Sequence, residues 1–251
     1  MRFKLLACEV LAREVYLCAA RSPHIIDVEL VEKGLHNTPD LLRVELQGRI
    51  NRTRDGLYDA ILLGYGLCGN SLLGLTARNV RLVMPRAHDC ITLYLGARSL
   101  YDQQFAENPG TYYYTADYIE RTGSDVESIG VSLGSATQAN IQAVYNEYVA
   151  KYGKDNADYL MEVMGAWSEH YSRAVFIDHE HTRFLGYEQV AIDEARRRGW
   201  SYLKVAGSLA LIGQLMSGDW PPEDFLVIEP GQKVVPSYDD QVVCAVPGEG
   251  E

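Results

Sequence analysis

The sequence predicts an α/β protein: a parallel sheet covered by helices on both faces, with a helical insertion in the middle of the chain. Three observations carry this. The N-terminal part of the chain holds four short runs rich in Leu, Val and Ile, each followed by a turn and a stretch at helical spacing. Uninterrupted apolar runs of that length belong to strands buried on both faces. The same alternation returns from residue 174 onward, and between the two regions the pattern lengthens into one long helical segment.

Taken in order, Phe3 to Ala7 is an apolar run suited to a buried strand, and from Glu9 to Ala20 the residues Val10, Leu11, Val15, Leu17 and Cys18 recur roughly at helical spacing. Ile25 to Val31 alternates as a strand. Pro39 then stands at the first turn of a helix reaching about Arg52, with Thr38 as its N-cap. Tyr58 to Leu63 is a third strand, entering Gly64-Tyr65-Gly66-Leu67-Cys68-Gly69, and Asn70 is placed to cap the segment carrying Leu72, Leu73 and Leu75. Val80 to Met84 is the fourth, closed by Pro85-Arg86-Ala87-His88-Asp89-Cys90 and followed by a helical stretch from Ile91 to about Phe105. Asn108-Pro109-Gly110 marks a turn, Thr111 to Tyr114 an edge strand, and Thr137 to about Tyr171 the long helix, interrupted by Gly153. Strands at Ala174 to Ile177, Tyr202 to Val205 and Phe225 to Ile228 alternate with helices from Phe184 to Arg198 and from about Ser208 to Met216. These elements give one α/β domain over 1–239, as a single sheet or as two β/α lobes at about 1–107 and 174–239 flanking an insertion at 108–173. Residues 240–251 lack periodicity and form a loosely held tail.

A hydrophobic fraction of 47 % with 23 % charged residues over 251 positions excludes a disordered, collagen-like or coiled-coil chain. Lys and Arg number 23 against 34 Asp and Glu, a net charge of −11 that repels phosphate backbones and anionic lipid. Nucleic acid and membrane are therefore not expected partners. The apolar run at the N-terminus is too short for a signal peptide and no stretch approaches a membrane span, so the expected location is cytoplasmic. Five cysteines, an odd number in a chain too large to need staples, favour metal or catalytic roles over disulfides in a reducing compartment.

In open parallel sheets, ligands bind outside the carboxyl ends of the strands. Cys8, Cys68 and Cys90 all fall there, after the first, third and fourth predicted strands; Cys18 lies on the apolar face of the first helix and Cys244 in the tail. Thiolates from three loops can ligate one metal without a local C-x-x-C motif, although each could equally be a small buried hydrophobe. Gly64, Gly66 and Gly69 are spaced like a phosphate-binding turn, but the Lys-Ser/Thr of a P-loop and a suitably placed acidic residue are both missing. Their physical role is to let the backbone turn tightly and approach a ligand beside Cys68. Arg86 is placed to bind a carboxylate or phosphate, or to form an ordinary ion pair. His88 reads as a metal ligand, a general acid/base, or a loop histidine bonded to Asp89. Glu9, beside Cys8 at a helix start, is a second catalytic candidate and equally a residue that the helix dipole favours there. His36 shares the same predicted edge and is a reserve ligand. Asp178-His179-Glu180-His181 has a metal-like composition but reads first as a solvated loop capping the next helix. Gly207-Ser208 delivers a strand into a helix, with capping by Ser208 the main role.

The segments Ala7-Cys8-Glu9-Val10-Leu11, Leu63 to Asn70, Pro85 to Thr92 and Asn108 to Tyr112 together resemble a family of uncharacterised prokaryotic proteins, a domain of unknown function, and Phe225 to Gly231 resembles that family's C-terminal pattern. The resemblance implies an association with corrinoid-dependent methyltransferases, near which members are often encoded, and hence one-carbon metabolism, without supplying a reaction.

The combined expectation is a metal-dependent enzyme. Cys8, Cys68 and Cys90 would bind one metal ion at the sheet edge and leave an open position. His88 and Glu9 are the catalytic candidates, and Arg86, Gly64, Gly66 and Gly69 would hold a small polar or anionic substrate for methyl transfer or hydrolysis. Zinc is the first choice of cofactor, and an iron–sulfur cluster on the same three cysteines is the second. The rival reading is a non-catalytic metal-binding or accessory protein whose partner is a corrinoid protein or methyltransferase.

Overall fold

A computed structural model describes residues 1–68, 70–122, 171–237 and 241–248. The fold is mixed α/β with parallel-rich sheets, and the chain divides into two compact units: Met1–Asp102 with Gly207–Glu251, and Gln103–Ala206. The long helix expected from Thr137 to about Tyr171 lies almost wholly outside the described residues. Among the described residues no helix is long and apolar enough to cross a membrane.

The first unit opens with strand β1 (Arg2–Cys8), helix α1 (Ala12–Arg21), strand β2 (Ile25–Val31), helix α2 (Pro39–Asn51), strands β3 (Ala60–Gly64) and β4 (Leu82–Pro85), helix α3 (Cys90–Leu95) and the start of helix α4 (Arg98–Glu107). The second contains β5 (Thr111–Tyr114), α5 (Ala116–Thr122), β6 (Arg173–Asp178), α6 (Glu188–Arg198) and β7 (Ser201–Ala206). The chain then returns to the first unit as α7 (Ala210–Leu215), β8 (Phe225–Ile228), β9 (Gln232–Pro236) and β10 (Val243–Pro247).

In the first unit the strand order is β2-β1-β3-β4-β8. β1 pairs in parallel with both β2 and β3, so the chain winds one way from β1 to β2 and the other way out to β3 and β4. The order therefore reverses between β1 and β3, and the crevice beyond the carboxyl ends of strands at such a reversal is where open α/β sheets hold ligands. Every residue of β3 and β4 is buried, as their apolar runs require. α2 buries Leu42, Leu46 and Ile50, which recur at a spacing of four. Pro39 starts this helix as expected. Thr38 makes no side-chain capping bond, because its hydroxyl turns back to the Leu35 carbonyl.

Several elements differ from the sequence reading. β8 is antiparallel to β4, since a buried apolar run specifies burial but not direction. The helix expected from Ile91 to Phe105 is broken into α3 and α4 at Gly96, whose φ of 79° closes the first helix. The stretch read as a loose tail contains β10, paired antiparallel with β9. In the second unit β5, β6 and β7 form a parallel sheet with β5 at one edge, and Tyr112, Tyr114, Ile119, Ala174, Phe176, Ala191 and Ala195 make its core.

Two glycines decide how closely the strand-end loops of the first unit pack. A Cβ on Gly64 would stand 2.7 Å from the Ala7 Cβ, and one on Gly66 would stand 2.6 Å from the Asp89 backbone. Gly66→Ala is expected to lower stability by about 1–3 kcal/mol through overpacking against main chain. Gly213→Ala, within α7 and with no described atom within 4 Å of the new Cβ, is expected to raise it by up to about 1 kcal/mol. Urea-denaturation midpoints of the two variants check both signs.

Candidate functional site

The three sequence-predicted thiols sit where β1, β3 and β4 end. Cys8 is the last residue of β1, Cys68 lies on the loop leaving β3, and Cys90 opens α3 directly after the β4 loop. All three are buried, with exposures of 8, 4 and 7 %. The loops are tied to one another by backbone. Leu67 N–H donates to the Ala87 carbonyl at 2.7 Å and Cys68 N–H to the His88 carbonyl at 3.0 Å, while the Tyr94 hydroxyl of α3 donates to the Val10 carbonyl just after β1. Asp89 caps α3, its carboxylate accepting from the N–H of Ile91 at 3.0 Å and of Thr92 at 3.4 Å.

The three thiols act on one another electrostatically. Burial pushes the Cys68 thiol well up, and the charges of Cys8 and Asp89 push it further. Burial likewise raises Cys90, with Cys68, Asp89 and Cys8 adding to it. Against this, the peptide N–H groups of Gly66 and Cys90 are turned toward the Cys68 sulfur and favour its thiolate. Cys68 itself is held at φ 46°, in the left-handed region that a non-glycine residue rarely adopts. Asn70, two residues on, shares that region at φ 70°. Such a conformation costs about 1–2 kcal/mol for a residue with a Cβ. Cys18, by contrast, is a core residue on α1, as expected; burial, then Glu14, raises its thiol to about 11. Cys244 is partly exposed on β10.

Two residues that the sequence reading missed feel these thiols electrostatically. Tyr65, between Gly64 and Gly66, is 2 % exposed, and its hydroxyl has no hydrogen-bond partner among the described residues. Cys8 and Cys68 both act on it electrostatically. Lys33 stands half-buried near Glu9 and Cys8; burial lowers its ammonium while those two neighbours hold the charge. Glu9 accepts the Lys33 N–H at 2.8 Å, so this catalytic candidate joins the end of β1 to the loop after β2. A large aromatic between two glycines at a strand end was the available signal for Tyr65; nothing local marked Lys33.

The remaining candidates fall elsewhere. Arg86 is turned away from a substrate role: it is 8 % exposed, with Nε donating to the carbonyls of Pro222 at 2.8 Å and Phe225 at 3.2 Å, and Nη1 to those of Gln241 at 2.9 Å and Val243. The guanidinium fastens the β4 end to the C-terminal strands. Gly64 and Gly66 use their missing side chains on Ala7 and Asp89 within the protein, and Gly69 is outside the described residues. His88 is exposed, its ring centroid 6.4 Å from that of Tyr101. His36 falls in the short 3-10 turn Lys33–Asn37, and its side chain is outside the described ones. Ser208 Oγ accepts the Ala210 N–H at 3.2 Å, but the N-cap of α7 is Leu209, without a side-chain capping bond, so Ser208 does not hold the expected cap position. In the second unit, Asp178 is held well below the usual carboxylate range by its hydrogen bonds from Arg183 and is also paired with Lys204; His179 is buried with its ring 5.4 Å from that of His181.

A family model described as "Protein of unknown function (DUF1638)" matches residues 30–216, and the chain belongs to this family. Cys68 and Cys90 lie inside the matched span and Cys8 precedes it. Comparison with curated proteins and with solved structures gave no match. Among the described residues, no group of three or more His, Cys, Asp or Glu side chains stands in metal-holding geometry.

Arg86→Ala leaves several buried carbonyls without their charged donor, and is expected to cost at least about 2 kcal/mol of stability. Arg86→Lys is expected to restore only part of this, because an ammonium cannot reproduce the guanidinium fork. Chemical denaturation of both variants beside wild type measures the difference.

Proposed function

We propose that the chain is a metal-dependent enzyme whose centre is held by Cys8, Cys68 and Cys90 and which acts on a small polar or anionic substrate. The observation that supports this best is the gathering of three buried thiols from three strand ends at the point where the strand order reverses. Packing alone explains a buried cysteine. It does not explain a thiol held at a left-handed φ with two peptide N–H groups turned on its sulfur, since glycine would occupy that backbone position without strain.

Zinc suits the donor set; when bound it would act as a Lewis acid and lower the pKa of a bound water or thiol. The protein's own contribution is to keep the thiols in a dry pocket and protonated until a cation replaces the protons. His88, exposed at the end of the β4 loop, is assigned as the acid/base that exchanges protons with solvent, with the fourth position left to substrate. Glu9 positions Lys33 beside Cys8. A second reading, an iron–sulfur cluster on the same three cysteines, is favoured by the N–H groups facing Cys68, because hydrogen bonds to cluster sulfurs are one of the levers that tune such centres.

The resemblance to proteins encoded near corrinoid-dependent methyltransferases makes methyl transfer the first reaction class to assay, hydrolysis the next, and a corrinoid protein or methyltransferase the first partner to test. An accessory, non-catalytic metal-binding role is the alternative. The same reading takes the chain as cytoplasmic, with helices on both faces of the sheet.

Anaerobic elemental analysis of the purified protein is expected to find stoichiometric metal, lost sharply in Cys8→Ser, Cys68→Ser and Cys90→Ser and retained in Cys18→Ser, Cys244→Ser and His88→Ala. Equal metal in all five cysteine variants rejects the centre, and loss of metal in His88→Ala makes His88 a ligand. Metal affinity carries a pH signature of known sign. The thiols of Cys68 and Cys90 are raised, so both are protonated through neutral pH and must each release a proton. Zinc affinity is expected to fall by at least about a hundredfold for each unit of pH lowered, as read in a competition titration with a chromophoric chelator.

A further inference from the structure

We infer that β7 is a self-pairing edge: two copies of the chain join by laying their β7 strands side by side, antiparallel, about a two-fold axis at Leu203. The inference concerns the sheet of the second unit and is independent of the metal reading.

β7 is an outer strand of the sheet β5-β6-β7, and its register against β6 fixes which of its peptide groups face outward. The Ser201 N–H donates to the Ser172 carbonyl at 2.9 Å, so Ser201, Leu203 and Val205 turn their peptide groups toward β6. The direction alternates along a strand, and the peptide groups of Tyr202, Lys204 and Ala206 therefore point away from the sheet. The strand is also open to solvent. Ser201, Leu203, Lys204 and Ala206 are exposed, Leu203 at 37 %. β5, the outer strand on the opposite side, is buried along its whole length. An exposed row of outward peptide groups is a template on which another strand can pair.

The partner that fits this edge is a second copy of it. Antiparallel pairing about Leu203 sets Tyr202 and Lys204 of one copy against Lys204 and Tyr202 of the other, so the outward peptide groups meet in hydrogen-bonded pairs. Leu203 then meets Leu203 at the position where facing side chains approach most closely, and Ser201 meets Val205. No charge on β7 faces a like charge. Each Lys204 stands opposite a tyrosine, and its ammonium is already held in its own chain by Glu188 at 2.6 Å and Asp178 at 3.7 Å. Glu188 also accepts the Tyr202 hydroxyl at 2.9 Å, which fixes both side chains before pairing. Moving the axis to Lys204 would set the two ammonium groups opposite each other, and moving it to Tyr202 would carry Lys204 past the end of the facing strand.

β2, an outer strand of the first unit's sheet, has the contrary character. Self-pairing about Val28 would oppose Asp27 to Glu29, and self-pairing about Asp27 would oppose that carboxylate to itself. Its outward Leu30 carbonyl is already taken by the Arg49 guanidinium at 3.0 Å. β2 is thus guarded in the manner usual for edges, and β7 is not. A patch that pairs with itself closes as a two-fold dimer.

The test is sedimentation of the full chain, kept reduced so that Cys244 forms no cross-link, over a series of concentrations. Wild type is expected to dimerise reversibly. Leu203→Lys places two ammonium groups face to face at the axis and Leu203→Glu places two carboxylates there. Each is expected to weaken the dimer at least about tenfold. An equimolar mixture of the two variants is expected to recover it, because the mixed pair sets opposite charges together. Lys204→Pro is the second block: its N–H faces outward, so proline there removes no bond to β6 and closes the edge. It is expected to abolish the dimer with the melting temperature near that of wild type, and it decides the matter if the Leu203 variants melt early. A wild type that stays monomeric at every concentration overturns the inference. So does a dimer that survives Lys204→Pro, or a mixture of folded Leu203 variants that stays monomeric.

Discussion

The short backbone ladder between the loops leaving β3 and β4 is the constraint on which the site depends. Leu67 and Cys68 donate to Ala87 and His88, extending the pairing of the two strands past their ends. That extension forces the following loop to turn sharply, and Cys68 takes the left-handed conformation that a turn there demands. It also brings the Cys90 N–H onto the Cys68 sulfur. None of this is possible with bulk in the way, and Ala7, Gly64 and Gly66 form a line of small residues where β1, β3 and the β4 loop press together. The strain at Cys68, about 1–2 kcal/mol, is offset by these bonds and by the Ser71 hydroxyl, which donates to the Cys68 carbonyl at 2.6 Å.

A buried neutral thiol behaves as a small hydrophobe and costs little, whereas a buried thiolate without a cation is expensive. Cys18, Cys68 and Cys90 are all buried and raised, but for different reasons. The neighbours that act on Cys18 are residues of its own helix, Glu14 and Arg21. Those that act on Cys68 and Cys90 include each other and Cys8. Mutual repulsion of this kind means that the three cannot ionise together unless a positive centre joins them. A cation joining them, as the proposed function requires, would remove that repulsion.

Much of this was legible in the sequence, for an identifiable reason. The strands of the first unit are buried on both faces, so their apolar runs are continuous, and the position of a cysteine just beyond such a run is a local property of the chain. Cys8, Cys68 and Cys90 could therefore be placed at strand ends without coordinates. Direction and pairing are not local. Nothing in Phe225 to Ile228 says that β8 runs antiparallel, and the apolar run of β10 is short enough to read as tail until β9 is seen to pair with it. Arg86 was misread for the same reason: its acceptors lie between Pro222 and Val243, far along the chain. Tyr65 was absorbed into a glycine-rich turn, because an orphaned hydroxyl exists only once the surrounding chain has folded over it.

The charge of the whole chain bears on what can reach this site. At −11 the surface repels anions, but at physiological ionic strength that field decays over about 8 Å. At the buried strand ends the balance differs, because low dielectric strengthens the attraction of a few fixed donors. The peptide N–H groups turned on the Cys68 sulfur act only at short range and form no basic stripe over the surface. A polyanion, which must place many charges against the acidic exterior, gains nothing from donors so placed. A small anion of the kind proposed as substrate would cross the screened field at little cost, so the acidic surface selects for ligand size rather than against negative charge as such.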